Sequence, residues 1–249
     1  MHKILLLTAT AFEQRTLVTR MRETVHQVVS GKTWHRGFLG KAEVQVVETG
    51  IGAVNAAHAL TCVLESVRPV LVLQVGVGGG YPGAGLEIGA LALASSESYG
   101  DVGVRTRKGW QSAELIGIPL LQQEEAYFNH FPLDEALVNR ARDLLVAAAW
   151  DGAVPQVQVG PFVTVQECSG LTTLGREREQ HFKALCENME GAAAAHLCRL
   201  YGVSFLEIRS ISNKVEDRQI EQWDLPLAST RAQQAGLHLL HKATELLGD

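Results

Sequence analysis

Three side chains in this sequence stand where chemistry is more natural than packing. Glu190 follows Asn188-Met189 and opens the run Gly191-Ala192-Ala193-Ala194-Ala195, whose small residues let backbones approach closely at the start of a helix. A carboxylate there either complements the helix N-terminus or faces a ligand. Glu13 comes just after the apolar run 3–8, and it too can be explained by its place in a first helical turn. Asn213 lies in the polar stretch Arg209-Ser210-Ile211-Ser212-Asn213-Lys214, which continues through Glu216, Asp217 and Arg218 and reads as a turn after the strand 203–208. An amide can donate and accept hydrogen bonds but cannot deliver a proton.

A glycine-rich segment, Gly76-Val77-Gly78-Gly79-Gly80, directly follows the apolar strand 70–75 and reads as a turn. Such a turn can cradle a dinucleotide phosphate, or it can let a ribose or base approach the backbone. The dinucleotide version fits poorly. The third glycine of the pattern falls on Tyr81, and Pro82-Gly83 breaks the helix it requires. A nicotinamide-dependent oxidoreductase is disfavoured on that ground.

The motif Asn188-Met189-Glu190-Gly191-Ala192-Ala193, followed by Arg209-Ser210-Ile211-Ser212-Asn213, resembles the signature pair of the nucleoside phosphorylase and nucleosidase superfamily. The continuation Asn213-Lys214-Val215-Glu216-Asp217-Arg218 looks like its futalosine hydrolase branch, and the resemblance runs nearly end to end. It implies an α/β fold, a three-layer sandwich with a central mixed twisted β-sheet flanked by helices. It also implies a purine nucleoside substrate, no metal or organic cofactor, and a homo-oligomer. By the same resemblance Glu190 accepts hydrogen bonds from the ribose 2′- and 3′-hydroxyls, and Glu13 is the general base that activates water. Met189 packs on the sugar, for which the plain alternative is core filling, and Trp223 covers the nucleoside. Gly76, Val77, Gly78 and Ser212 complete the implied binding set.

Two departures from the family pattern bear on the reaction. Phosphorylases carry an Arg, to bind phosphate, at the position of Gln74. A neutral amide does not replace a bidentate guanidinium, so water is the expected nucleophile. Adenosylhomocysteine nucleosidases carry Asp where Asn213 stands and protonate N7 with it. Asn fits a 6-oxopurine leaving group, although it also pairs with the N6/N7 edge of adenine. The expected reaction is hydrolysis of the N-ribosidic bond of futalosine, releasing hypoxanthine and dehypoxanthine futalosine for menaquinone biosynthesis. Alternatives are a purine nucleosidase acting on adenosylhomocysteine, methylthioadenosine or aminodeoxyfutalosine, and a non-catalytic nucleoside-binding protein of the same fold.

The elements that must position these residues follow from pattern. Strands are expected over 3–8, 25–29, 33–38, 42–47, 70–75, 86–94, 157–165 (bent at Gly160-Pro161) and 203–208. Helices are expected from Glu13 with Leu17, Val18 and Met21 on one face, and over 53–67, 134–150, 190–200 and 229–247. His58 reads as a packing histidine within the second of these, and 176–181 as a solvated charged face. Gly50 and Gly52 suit a strand-to-helix turn that exposes backbone N–H groups. The long polar excursion from Ser95 to Pro132 holds Arg105, Arg107 and Lys108, the candidate cations for a carboxylate on the substrate tail.

With 249 residues, 46% hydrophobic and 20% charged, the chain fits one soluble α/β domain over 1–249. A net charge of −5 offers no field for nucleic acid. Cys62, Cys168, Cys186 and Cys198 show no metal-ligand spacing, and no signal peptide or spanning segment is evident, so a cytoplasmic enzyme with reduced thiols and no membrane contact is expected.

Overall fold

In the computed structural model, which describes residues 2–248, the first apolar run forms β1 (Lys3–Thr8), paired in parallel on both edges. A strand covered on both faces has no use for polar alternation, hence the unbroken Ile-Leu-Leu-Leu. A 3-10 turn (Ala11–Glu13) and α1 (Arg15–Arg20) follow, so the single helix expected from Glu13 is interrupted at Gln14. Next come the antiparallel strands β2 (Arg22–Val29), β3 (Lys32–Leu39) and β4 (Ala42–Glu48), then α2 (Ala53–Leu64), β5 (Leu71–Gly80) and β6 (Leu91–Tyr99). The polar excursion folds into two small hairpins. One joins β7 (Gly103–Thr106) to β8 (Gly109–Ser112), and the other joins β9 (Leu121–Gln122) to β10 (Ala126–Tyr127). Strand β11 (His130–Pro132) then returns against β6. The remainder is α3 (Glu135–Val146), β12 (Val157–Thr164), α4 (Thr172–Phe182), β13 (Cys186–Asn188), α5 (Gly191–Tyr201), β14 (Ser204–Lys214), α6 (Leu225–His241) and α7 (Ala243–Leu247).

Ten strands form one mixed sheet in the order β11-β6-β12-β13-β5-β1-β4-β3-β2, with β14 pairing both β5 and β6. Because β14 bridges that pair, strands β5, β14, β6, β12 and β13 close a circuit, and this end of the sheet rolls up. Helices α1, α3, α6 and α7 pack one face, around Leu6, Leu73 and Leu206, and α2 and α5 pack the other, around Leu5, Leu7 and Val72. The three-layer mixed-sheet fold expected from the sequence is therefore the fold observed. Among the described residues, no helix is long and apolar enough to cross a membrane.

Several local expectations are corrected. The segment Gly76 to Gly80 is not a turn but the second half of β5. Glycine is needed there because a Cβ on Gly78 would lie 2.4 Å from Cys186 Sγ, and one on Gly80 would lie 2.9 Å from Ile211 Cγ2. The polar stretch after Ile208 is likewise strand, running on to Lys214. Strand β6 is shifted to Tyr99, so Ser95 to Ser98 belong to the sheet. His58 is exposed on α2, with its Nε2 3.7 Å from Cys62 Sγ. Arg178, in the supposedly solvated charged run, is buried against Glu187. The bend at Gly160-Pro161 is present as a register shift against β6.

Candidate active site

Glu13 is delivered by the 3-10 turn beyond β1, and its carboxylate is fixed from two sides. Its Oε2 accepts from Thr10 N (3.0 Å) and Thr10 Oγ1 (2.9 Å), while Oε1 accepts from Val77 N on β5 (2.9 Å). Gly76 makes this approach possible, since a Cβ there would stand 2.7 Å from Glu13 Oε1 and 2.9 Å from Arg209 Nη1. Burial pushes the Glu13 carboxyl above the ordinary carboxylate range, opposed by Arg209, the Val77 N–H and the Thr10 hydroxyl.

Glu190 is the N-cap residue of α5, yet its side chain makes no cap hydrogen bond. Its Oε1 accepts from Gly52 N (2.9 Å), the backbone donor that the positive-φ glycines of the β4–α2 turn expose, and its Oε2 accepts from Arg209 Nη2 (3.1 Å). Asn188 caps the helix instead, its Oδ1 accepting from Glu190 N (3.0 Å) and Gly191 N (2.7 Å). The capping explanation for Glu190 thus gives way to Asn188, which frees the carboxylate for other work.

Arg209 ties the two carboxylates together. It is 2% exposed, and its guanidinium donates to Glu207 Oε1 (2.8 Å), to Glu190 Oε2 and to Val77 O (3.1 Å). Burial opposes its charge, but Glu207, Glu190 and Glu13 outweigh that penalty and hold it cationic. Arg209 belongs to the second motif of the sequence, but pattern alone assigns it no role. The usable signal was an Arg on the same strand as the amide, once that strand is known to continue.

Asn213 is aimed by a β-bulge. Opposite Gly78 and Gly79 of β5, strand β14 places Ile211 and Asn213, so Ser212 is the extra residue. The bulge turns consecutive residues Ser212 and Asn213 towards one cavity, which strict alternation would forbid. Ser212 Oγ donates to Asn213 Oδ1 (2.8 Å), and Asn213 Nδ2 donates to Lys214 O (3.0 Å). One amide hydrogen is left to spend on a ligand.

These groups surround a cavity of about 510 Å³, the size of a small-molecule site. Glu13, Glu190, Asn213, Val77, Gly78, Met189, Ser212 and Trp223 all line it. Gly76 does not; it acts behind the wall, by giving Glu13 and Arg209 room. Phe12, Ile51 and Leu225 add an apolar rim that pattern reading missed, because each is partly exposed and isolated in sequence. Trp223 carries Arg218 over its ring, with the guanidinium carbon 4.4 Å from the centroid. Glu187 accepts from Ser169 N (2.7 Å), Ser169 Oγ (2.6 Å) and Tyr81 OH (3.0 Å), pinning the 167–170 loop that forms another wall. Arg105, Arg107 and Lys108 lie away from this cavity; Arg105 pairs with Glu177 at 2.7 Å. Gln74 is buried in β5 opposite Glu207 of β14 and also stays outside the cavity. No cluster of His, Cys, Asp and Glu among the described residues is arranged to hold a metal ion.

Residues 3–244 match a family model described as the phosphorylase superfamily. The chain is 29% identical over 219 residues to a 5′-methylthioadenosine/S-adenosylhomocysteine nucleosidase of Chromohalobacter salexigens, covering 86% of this chain and 85% of that one. It is 34% identical over 190 residues to a futalosine hydrolase of Thermus thermophilus, covering 76% of each. In shape it is similar to the 5′-methylthioadenosine/S-adenosylhomocysteine nucleosidase of Neisseria meningitidis in complex with methylthio-immucillin-A. That likeness has a TM-score of 0.83 at 21% identity and covers 97% of this chain and all of that one.

Proposed function

This chain belongs to the phosphorylase superfamily, and within it we propose that it is a purine nucleosidase whose substrate is futalosine. Hydrolysis of a purine nucleoside is the activity its relatives from both branches share by name. The observation that carries the finer reading is Asn213. Its side chain, an amide fixed by Ser212, lines the cavity, and in this reading it faces the leaving base in place of a proton donor.

The N-ribosidic bond breaks through an oxocarbenium-like sugar. Glu190, on the floor of the cavity, accepts hydrogen bonds from the ribose hydroxyls and stabilises the growing positive charge, while Met189 packs on the sugar. Glu13 takes the proton from the attacking water, an effect worth about 10²–10⁴ in rate. The raised pKa of Glu13 brings its basicity closer to neutrality, where a general base works best. Asn213 donates to the departing hypoxanthine, whose charge spreads onto O6. Arg209, already committed to Glu207, Glu190 and Val77, has no free fork to hold a phosphate, which supports water as the nucleophile. For the substrate tail, Arg218 at the cavity rim replaces the Arg105 group as the candidate carboxylate partner.

The relative from C. salexigens favours a second reading, release of adenine from methylthioadenosine or adenosylhomocysteine. Incubation with futalosine, aminodeoxyfutalosine, inosine and adenosylhomocysteine, without phosphate, separates the two by the base released. The expected result is hypoxanthine from futalosine, with kcat/KM highest for that substrate and unchanged by added phosphate. Preferential adenine release assigns the second reading, and a sugar 1-phosphate product overturns hydrolysis.

A further inference from the structure

Behind Arg209, outside the lining of the cavity, two fully buried carboxyl groups are packed against each other. Glu97 on β6 and Glu207 on β14 are both 0% exposed. A Cβ built on Gly191 would lie 2.1 Å from Glu97 Oε1 and 2.3 Å from Glu207 Oε2, so both oxygens converge on the one position of α5 that has no side chain. Three of the four oxygens of the pair have donors. Glu207 Oε1 accepts from Arg209 Nε (2.8 Å), Glu97 Oε2 from Thr164 Oγ1 (2.9 Å), and Glu97 Oε1 from Asn188 Nδ2 (2.6 Å). Glu207 Oε2 alone is buried without an N–H or hydroxyl donor. Two ionised carboxylates in contact at zero exposure are not sustainable. The missing donor and the excess charge have one common remedy, a proton between the two groups.

We propose that Glu97 is a neutral carboxylic acid donating to the Glu207 carboxylate, and that this acid pair is the positioning element that holds Arg209 between Glu13 and Glu190. The proton resides on Glu97 because only Glu207 has a guanidinium partner. Burial first, and Glu207 next, push the Glu97 carboxyl up, while Arg209 pulls against the burial of Glu207. The other ionisable groups near the pair are Glu190, Cys186 and Tyr99, none of them a cation. Glu13 is faced by Arg209 and Glu190. The cluster therefore holds one guanidinium against Glu207 and Glu190, and part of its charge is left to draw on Glu13. Ionising Glu97 would add a further negative charge behind Arg209 and weaken that pull. Neither Glu97 nor Glu207 touches the cavity.

The inference rests on the nucleosidase reading only in taking Glu13 and Glu190 as the working carboxylates, and one of its tests needs no substrate. In the infrared spectrum of the wild-type protein, above the pH at which Glu13 ionises, a protonated-carboxyl C=O band is expected, and Glu97→Gln should lack it. A wild-type spectrum with no such band overturns the proposal whatever the variants do. In kinetics, Glu97→Gln keeps a neutral donor to Glu207, so kcat should stay within about threefold and the acidic limb of kcat/KM should not move. Glu97→Leu removes the donor and should lower kcat by about tenfold or more with KM little changed. Glu207→Gln leaves the charge of Arg209 less compensated and should move the acidic limb to lower pH. A downward move in Glu97→Gln as well would show that Glu97 is ionised in the native protein, and the proposal would fall. Absence of activity on every purine nucleoside would sink the functional reading, while the infrared band would still decide the acid pair.

Discussion

Glu13 and Glu190 lie on either side of one guanidinium, but their hydrogen bonds differ in kind. Glu13 is held by a backbone N–H and by Thr10, and its elevated pKa suits a base. Glu190 is held by Gly52 N and Arg209, which suits a permanent acceptor. Glu13→Gln should lower kcat by about 10²–10⁴. In the wild type, the acidic limb of kcat/KM should fall above the ordinary carboxylate value of 4.5, because the base must be deprotonated to act. Activity is then lost as pH drops through that raised value; a limb at or below 4.5 would argue that another group is the base. Glu190→Gln removes charge-assisted hydrogen bonds worth about 1.5–3 kcal/mol, a loss of roughly tenfold to a hundredfold in kcat. Unaltered turnover in either variant would return that residue to a structural role. Asn213→Asp tests base choice. An ionised carboxylate facing O6 should slow hypoxanthine release, and a protonated one should favour adenine. The ratio of kcat/KM for futalosine over aminodeoxyfutalosine should therefore fall; a constant ratio removes Asn213 as base selector.

At the scale of elements, the site depends on backbone irregularity more than on helix placement. The bulge at Ser212 turns Asn213 inwards, and Gly50 and Gly52 at positive φ present the N–H that Glu190 accepts. Gly76 lets Glu13 and Arg209 meet strand β5. Gly76→Ala should force the Glu13 carboxylate off Val77 N, since the contacts of 2.7 Å and 2.9 Å are too close for a methyl group. Overpacking of this kind costs about 1–3 kcal/mol. The expected outcome is a folded protein by circular dichroism, with kcat reduced by about tenfold or more and KM little changed. A variant with normal kcat would show that the carboxylate can shift without consequence.

Across the whole molecule, the sheet carries a large apolar cluster on each face. Leu206 is buried in the layer under α6, and Leu60 of α2 in the layer on the opposite face. Leu206→Ala and Leu60→Ala should each lower stability by about 2–5 kcal/mol. The sheet between them separates the two sites, so the double variant should lose the sum to within about 0.5 kcal/mol. Urea unfolding with one transition and an unchanged slope is the measurement that checks this. A biphasic curve would mean that the two layers unfold independently.

Pattern in the sequence placed most of the long strands and helices and the bend at Gly160-Pro161, and the family resemblance supplied the mixed three-layer fold, but α4, β13 and the short strands β7 to β11 were not expected. The strands, helices and bend follow from apolar periodicity and turn chemistry, and the fold from the resemblance carried by the paired motif, none of which needs knowledge of distant contacts. The resemblance also singled out Glu13, Glu190 and Asn213, which the structure brings to one cavity. The sequence could not tell that Gly76 to Gly80 and Arg209 to Lys214 are strand. Glycine and polar residues lack strand propensity, and only the pairing of β5 with β14 makes them extended. Nor could it join Glu97, Glu207 and Arg209. Those three meet because the sheet rolls up and closes β5, β14, β6, β12 and β13 into a circuit, and Gly191 leaves the space into which the carboxyl groups converge. Local pattern sets what each segment prefers, but a buried charge network forms only where separate strands bring its members within hydrogen-bond reach.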